Sequence, residues 1–585
     1  MTIRLTEAMK NQALVNIGTA GHVAHGKSTL VKRLTGQATQ RFQSEKHKNI
    51  TIKLGYANTY LYWNPETQDV VSIPVKEHVR GINLPGYELL YHVSFVDCPG
   101  HEHYMATMIC GAGIMDHVYV VVAADEQIPQ PQTHDHLVAL DYSCMEPENM
   151  TFLLNKLDLI PMSKRNHVAA QLQQYKEEYD HNNMTIPVSA AMGYNVDSVV
   201  NNLAQVASNH METVVERASQ PLRMNIVRSY DINKPGTAVD DFQGGVVGGA
   251  IVTGVLTVGD MVELRPGVIN MVKGKRVVQP LVAKVMSMRS DTCPLETALP
   301  GGLVGVNLSI YSGLTSQDKM KGQVLTHLGE APGIYNTLSG KFRTFHETRL
   351  LKQATYNFIV NGITNVTGTI SELEYKRSTH GTMTIVLNQP VCVDLQDARL
   401  AILVKSKLVA SFKVTNGRCS YEISYPPGTP EAFEPPSYEV VNDTNKFYAK
   451  VEPPELDPMT IPCMQAQTVK LQVPLLESSI MNRNTIIDGS NLRSFLGCMH
   501  RGGSLEDLEK AVVGMIETGL VNSKPRFNQH GNLVLNGRFS ASKLNGFIQP
   551  AMKKYLTCTC CRSMDTYVEK KTRFCKTCKT ESRLA

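Results

Sequence analysis

Apolar positions along residues 12–210 fall in short continuous runs, separated by longer stretches with helical spacing. The runs are Ala13–Gly18, His92–Val96, Val118–Ala123, Thr151–Leu154 and Thr185–Val188. A strand covered on both faces shows no alternation, because neither face meets water. Such runs alternating with helices predict a mostly parallel sheet with helices on both sides. Beyond residue 222 the pattern changes. Residues 222–340 are rich in Gly and Val, with short runs broken by turn signals such as Gly244–Gly249 and Arg265-Pro266-Gly267, which predicts a β-barrel. Residues 341–425 carry further short strands (Tyr356–Val360, Met383–Leu387, Val409–Val414) and predict a second barrel.

Eight prolines fall within 426–458, with Pro-Pro starting at 426, 435 and 453. Proline lacks the backbone donor that helices and central strands need, so this stretch reads as a semi-rigid linker. A last domain follows. Ser504-Leu-Glu-Asp507 has the form of a capping box, Leu505, Leu508, Val512, Met515 and Ile516 share one helical face, and Gly519 ends that helix. Asn532 to Arg538 reads as a strand.

Length and composition narrow the class. A chain of 585 residues holds about four domains. The longest purely apolar run, Val118 to Ala124, is far short of the ~20 residues a membrane helix needs. Met1 to Gln12 is polar and has no signal-peptide core, so a cytoplasmic protein without a membrane partner is expected. Net charge is +5, yet residues 548–585 alone hold nine Lys/Arg against three Asp/Glu, or +6. RNA contact and a solvated basic face are both open readings of that tail. Eight of the 13 cysteines are scattered, whereas Cys558, Cys560, Cys561, Cys575 and Cys578 crowd the end. Two C-x-x-C pairs, Cys558/Cys561 and Cys575/Cys578, stand thirteen residues apart. Four thiolates in two short loops can close tetrahedrally on Zn²⁺ and leave no open position, so a structural ribbon is expected. Cys560, between ligands, is not counted among them.

The candidate chemistry lies at the strand ends. Gly21-His22-Val23-Ala24-His25-Gly26-Lys27-Ser28 fits G-x-x-x-x-G-K-[ST], after one predicted strand and before a helix that includes Thr29. The glycines let backbone N–H groups wrap phosphates beside a helix N-terminus. Lys27 would neutralise β/γ oxygens and the Ser28 hydroxyl would hold Mg²⁺. Asp97-Cys-Pro-Gly100-His101 follows a second strand. Asp97 can hold Mg²⁺ through water, and Gly100 can offer its N–H to a γ-phosphate. Asn155-Lys156-Leu157-Asp158 follows a third. A carboxylate there can accept both the N1–H and the exocyclic amine of guanine, a donor pair that adenine lacks, so GTP and GDP are expected rather than adenine nucleotides. Ser189-Ala190 follows a fourth strand and completes the base site.

With these residues in place, the chain resembles the translational GTPases, and within them the gamma-subunit family of eukaryotic and archaeal initiation factor 2. Gly18 through Thr29 is very similar to that family's P-loop, and Ala24 stands where carriers of elongator tRNA usually have Asp. Asn49-Ile-Thr-Ile-Lys-Leu-Gly-Tyr-Ala-Asn58 resembles its switch 1. The resemblance makes Thr51 the second Mg²⁺ ligand and γ-phosphate sensor, and places Asn49 and Tyr56 in a switch that responds to initiator tRNA. It makes Asp97–His101 the second switch, with His101 orienting the attacking water. Lys27, Thr51 and His101 are thereby the catalytic set. Arg228–Gly236, Gly244–Gly249 and Gly301–Val306 resemble the family's first barrel. Asn532–Phe539 and Lys553–Cys558 resemble the C-terminal half of the beta subunit of the same factor, so the chain reads as a gamma–beta fusion.

The expected architecture is therefore multidomain. An α/β P-loop G domain (1–215) is followed by β-barrels (222–340 and 341–425) and a Pro-rich linker (426–458). A small beta-subunit-like α/β domain (459–555) ends in a zinc ribbon (556–585). The implied function is GTP-dependent binding of methionyl initiator tRNA and its delivery to the small ribosomal subunit, with slow hydrolysis, since no arginine finger is evident. The alternative is a GTP-binding decoy that occupies initiation partners without delivering tRNA. It draws on the fusion itself and on the missing lysine blocks through which the beta subunit recruits activating and exchange factors. Residues 61–92 contain no cysteine, so the family's frequent zinc knuckle is absent. No segment resembles an alpha subunit, which would have to join in trans.

Overall fold

The computed structural model describes residues 2–40, 45, 51–79, 84–128, 130–143, 145–178, 183–233, 244–272, 274–345, 348–396, 398–426, 429 and 433–447. Further along it describes 479–481, 484–487, 526–527, 533–536, 566–569, 572–575 and 581–583. The chain divides into two compact units, one of residues 1–155 and 168–456, the other of 156–167 and 457–585.

The N-terminal region runs β1 (Thr2–Arg4), α1 (Leu5–Ala8), β2 (Val15–Ala20), α2 (Lys27–Thr35), β3 (Gly55–Trp63), β4 (Val70–Pro74), α3 (Val75–Val79), β5 (Glu88–Asp97) and α4 (Met105–Ala112). It continues with β6 (His117–Ala123), α5 (Pro131–Tyr142), β7 (Met150–Asn155), α6 (Met162–Glu178), β8 (Thr185–Pro187) and α7 (Val196–Ala218). Seven strands form one sheet in the order β4-β3-β5-β2-β6-β7-β8. From β5 to β8 the pairing is parallel. Every expected apolar run lies on one of these strands. β2 and β6 are buried at every position, as unbroken runs require. β3 and β4 were not anticipated. They pair antiparallel at the sheet edge, and β3 mixes buried and half-buried positions, so it has no continuous apolar run. α7 buries Val199, Val200, Leu203, Ala207, Met211 and Val214 at helical spacing. Each full burial of such a side chain contributes on the order of 1.5–3 kcal/mol.

The next strands are β9 (Arg223–Tyr230), β10 (Val246–Thr253), β11 (Leu256–Thr257), β12 (Met261–Val272), β13 (Lys275–Ser290), β14 (Cys293–Leu295), β15 (Thr297–Ala298), β16 (Gly301–Leu308) and β17 (Val324–His327). The path β12-β17-β9-β10-β16-β13 closes through a β12–β13 pairing into a six-strand ring. Arg265-Pro266-Gly267, read as a turn, is instead a bulge inside β12. The pairing with β13 slips between Leu264 and Val268, and Gly267 takes φ +90°. Proline and glycine mark lost ladder bonds in bulges as well as in turns.

A second closed ring, β18-β21-β20-β19-β22-β23, joins β18 (Ile334–Thr344), β19 (Thr355–Val360), β20 (Thr364–Tyr375), β21 (His380–Cys392), β22 (Arg399–Val404) and β23 (Lys407–Arg418). β18 crosses the expected division at 340/341, because a strand continues there without any break in composition.

The Pro-rich stretch departs furthest from expectation. Its described part is no spacer but lies against the first unit. After β24 (Glu422–Ile423), which pairs with β13, comes β25 (Glu439–Val441), paired in parallel with β1. Phe447 is buried in the same apolar core as Leu5 and Met9. The prolines exclude helix and central strand, as argued, but they leave edge pairing open.

In the second unit, β26 (Ser479–Met481), β27 (Asn484–Ile487), β28 (Arg526–Phe527) and β29 (Leu533–Asn536) form a sheet in the order β26-β27-β29-β28. β29 realises the strand expected over 532–538, with Leu533 and Leu535 fully buried. β30 (Thr566–Glu569), β31 (Thr572–Cys575) and β32 (Glu581–Arg583) make a three-stranded sheet. The helix expected over 504–519, the residues Cys558, Cys561 and Cys578, the Cys575 side chain, and Asn49 lie outside the described residues. No described helix is long and apolar enough to cross a membrane.

Candidate nucleotide site

The phosphate loop joins the end of β2 to the start of α2. Its shape depends on residues that accept positive φ: Gly21 (+130°), Ala24 (+64°) and Gly26 (+98°). A Cβ on Gly21 would meet Val121 O at 2.2 Å, so the loop passes hard against β6. The loop encloses a cavity of about 150 Å³ lined by Val23, Ala24, Gly26, Lys27, Ser28, Thr29, Gln40, Thr51, Gly100 and His101.

Lys27 is buried, and its Nζ donates to Gly21 O and His22 O at 2.7 Å each. Burial pulls its pKa down to about 8, against the pull of the Asp97 carboxylate. Three hydroxyls converge on Asp97. Ser28 donates at 2.6 Å, Thr39 at 2.5 Å and Thr19 at 3.1 Å. Thr51 Oγ1 lies 3.1 Å from Ser28 Oγ. Burial raises the Asp97 pKa, and the donated hydrogen bonds only partly oppose it. A buried carboxylate beside two hydroxyls is a hard oxygen set that suits a small divalent cation, so Ser28, Thr51 and Asp97 fit Mg²⁺. Gly100 sits where a Cβ would meet Lys27 Nζ at 2.5 Å and the backbone of His22 and Val23 at 2.9 Å. His101 is half-buried at the cavity wall and caps the turn Glu102–Tyr104, with Nδ1 accepting from His103 N–H at 3.3 Å.

Two sequence-assigned phosphate residues act through their backbone. His25 turns its ring inward, fully buried, and donates from Nδ1 to Val121 O at 2.9 Å. Burial lowers its pKa to about 4 despite Glu126 3.4 Å away. The His22 carbonyl is one of the two that hold Lys27.

Asn155 ends β7 and cross-braces the site. Its Nδ2 donates to His25 O at 2.8 Å, and its Oδ1 accepts from Ala190 N–H at 3.0 Å. One side chain thereby ties the phosphate loop to the segment carrying Ser189 and Ala190. Ser189 is fully buried and its Oγ accepts from Met192 N–H at 3.2 Å. Lys156 takes φ +64°, and Asp158 is buried in the turn Leu157–Leu159.

Sequence reasoning missed Thr19, Thr39 and His136. Thr19 and Thr39 complete the Asp97 cluster from β2 and from beyond α2, and no local pattern marks them. His136 on α5 accepts from Gly21 N–H at 3.0 Å, and burial lowers its pKa to about 3.

Next to this site runs a groove of about 300 Å³ between β3 and the first ring. Tyr56, Asn58, Arg228, Tyr230, Gly248 and Arg289 are among its walls. Arg228 lies 5.3 Å over the Tyr230 ring and donates to Asp318 at 3.1 Å. Tyr56 also lines a neighbouring cavity of about 270 Å³.

A P-loop sheet followed by two six-strand rings makes this chain a GTPase of the translation-factor class. Residues 12–210 match the elongation factor Tu GTP binding domain, and 464–581 match a domain found in initiation factors 2B and 5. The chain is 34% identical over 429 residues to the eukaryotic translation initiation factor 2 subunit gamma of Encephalitozoon cuniculi, covering 71% of this chain and 95% of that protein. It is 39% identical over 344 residues to subunit 3 of the same factor from Drosophila melanogaster (57% and 71% covered). It is also 39% identical over 348 residues to subunit gamma of Schizosaccharomyces pombe (56% and 75%). The chain belongs to the family of the gamma subunit of eukaryotic translation initiation factor 2.

Solved structures agree on the fold. A bacterial selenocysteine-specific elongation factor aligns with TM-score 0.52 at 22% identity, over 69% of this chain and 59% of that one. The elongation factor SelB of Methanococcus maripaludis, solved with a GTP analogue, gives 0.50 at 19%, over 70% and 80%.

Proposed function

We propose that the protein binds methionyl initiator tRNA in a GTP-dependent way and delivers it to the small ribosomal subunit. The observation that carries this reading is the groove beside Tyr56. It starts at the strand that follows the first switch and is walled by Arg228, Tyr230 and Arg289, which offer charge to a phosphate backbone and a ring face to a base or side chain. A change in switch 1 reaches Tyr56 directly along the chain, so nucleotide state and groove shape are coupled.

In this reading the loop amides and Lys27 hold the β- and γ-phosphates, and Gly100 N–H senses the γ-phosphate. Ser28, Thr51 and Asp97 hold Mg²⁺, which neutralises charge on the phosphate oxygens. His101 orients the water that attacks the γ-phosphorus in line, breaking its bond to the bridging oxygen. Asp158 reads guanine, with Lys156, Ser189 and Ala190 closing the base site, and Asn49 and Tyr56 respond to tRNA. Cys558, Cys561, Cys575 and Cys578 hold Zn²⁺ in the C-terminal unit. An alpha-subunit-like partner joins in trans, and activating and exchange factors act without the lysine blocks found in the beta subunit.

Filter binding with methionylated initiator and elongator tRNAs tests the central claim. Initiator tRNA is retained with a GTP analogue and lost with GDP. Equal retention of both tRNAs, or none with either nucleotide, refutes delivery and leaves the decoy reading.

A further inference from the structure

The segment after the second ring is anchored along its described length. Tyr425 OH donates to Glu263 at 2.7 Å on the first ring. Phe433 N–H donates to Leu328 O at 3.3 Å, with its ring 5.8 Å from that of His327. Tyr438 OH and Thr257 Oγ1 share a hydrogen bond of 2.7 Å. β25 then pairs with β1 as Thr2↔Glu439, Ile3↔Val440 and Arg4↔Val441. Asp443 accepts from Thr6 N–H at 2.9 Å and from its hydroxyl at 2.6 Å. Asn445 O accepts from Tyr91 OH at 2.8 Å. Phe447 N–H donates to Ser208 Oγ at 3.0 Å, and Lys446 faces Glu212 on α7 at 3.0 Å.

The side chains follow the alternation of a bound strand. Tyr438 and Val440 pack against the G-domain core, while Glu439 and Val441 face out. Phe447 ends the segment as a buried plug, 6% exposed. A spacer needs only reach, and ordering these residues costs conformational entropy that specific contacts must offset. Strand pairing, a carboxylate on α1 and an aromatic plug together form the recognition pattern of a peptide on a preformed face.

We propose that residues 433–447 are a built-in docking peptide. β1, α1, Tyr91 and α7 of the GTPase unit form its binding face. Through this face, and not through chain continuity alone, the C-terminal unit is retained on the GTPase.

The test uses the full-length chain with a protease recognition sequence inserted after Pro430. After cleavage, the two fragments of the otherwise wild-type chain co-elute on gel filtration at micromolar concentration. Asp443→Ala with Phe447→Ala weakens that association on the order of 100-fold or more, so the fragments separate. Asp443→Ala alone, at the edge of the segment, gives a smaller loss in the same direction. Binding of a fluorescent GTP analogue stays at the wild-type level in both variants, which separates loss of docking from loss of fold. Separation of the cleaved wild-type fragments overturns the proposal. So does undiminished association in the double variant, since other contacts would then hold the unit.

Discussion

Single residues set the pH response. His25, His92, His117 and His136 are all buried, and desolvation lowers their pKa values from 6.5 to about 4 for His25 and about 3 for the other three. Each folded-state pKa lies below the unfolded one. The stability they contribute is therefore full above pH 6.5 and is lost as the pH falls toward 4, because the unfolded chain takes up protons that the folded chain refuses. The thermal midpoint is expected to drop steadily from pH 7 to pH 5, with a slope approaching four protons from these groups. A flat midpoint over that range contradicts the burial argument. At Gly100, a Cβ would push on Lys27 and on the loop backbone. Gly100→Ala is expected to weaken GTP about tenfold or more and GDP less, as read by competition with a fluorescent nucleotide. Asp158→Asn should move preference from guanosine to xanthosine nucleotides. Unchanged GTP affinity in that variant removes the guanine assignment.

At the scale of elements, the fit between the G domain and the first ring rests on backbone approach. Gln12 Nε2 donates to Leu299 O at 2.7 Å, and Leu299 N–H returns a bond to Gln12 Oε1 at 3.0 Å. Beside this pair, Gly301 (φ +115°) would place a Cβ 2.4 Å from Leu14 O. No side chain can yield there, since the neighbour is backbone. Gly301→Ala should lower stability by about 2 kcal/mol or more, measured by thermal unfolding, with the P-loop itself untouched. The Gly301–Val306 stretch was legible as barrel-like, but its tight contact with the segment before β2 was not. Nothing in a local pattern reports which distant backbone a glycine accommodates.

For the whole molecule, the question is how a GTPase carries a second unit on one chain. The docked segment answers it for residues 433–447, and the zinc assignment bears on the far end. Elemental analysis of the purified chain is expected to find about one zinc, lost on replacing Cys575 and Cys578 by Ser. No bound metal would remove the ribbon reading. β31 ends at Cys575, opposite Thr566, so the second C-x-x-C pair starts where a strand stops, as a metal loop requires.

Local chemistry alone determined much of this protein. The unbroken apolar runs specified the parallel strands, since a strand covered on both faces must be apolar throughout. G-x-x-x-x-G-K-S and N-K-x-D announced the nucleotide because phosphate and guanine demand those groups at those spacings. Other features depended on residues far apart in the chain. Thr19 and Thr39 became Asp97 partners only when β2, the segment after α2 and β5 met. Asn155 was expected at the base and proved to brace His25 against Ala190. The Pro-rich stretch looked like a spacer because proline excludes regular structure locally. It became a docked strand because β1 offered an open edge and the G-domain core took Phe447, and only the folded chain brings that edge and that core to it.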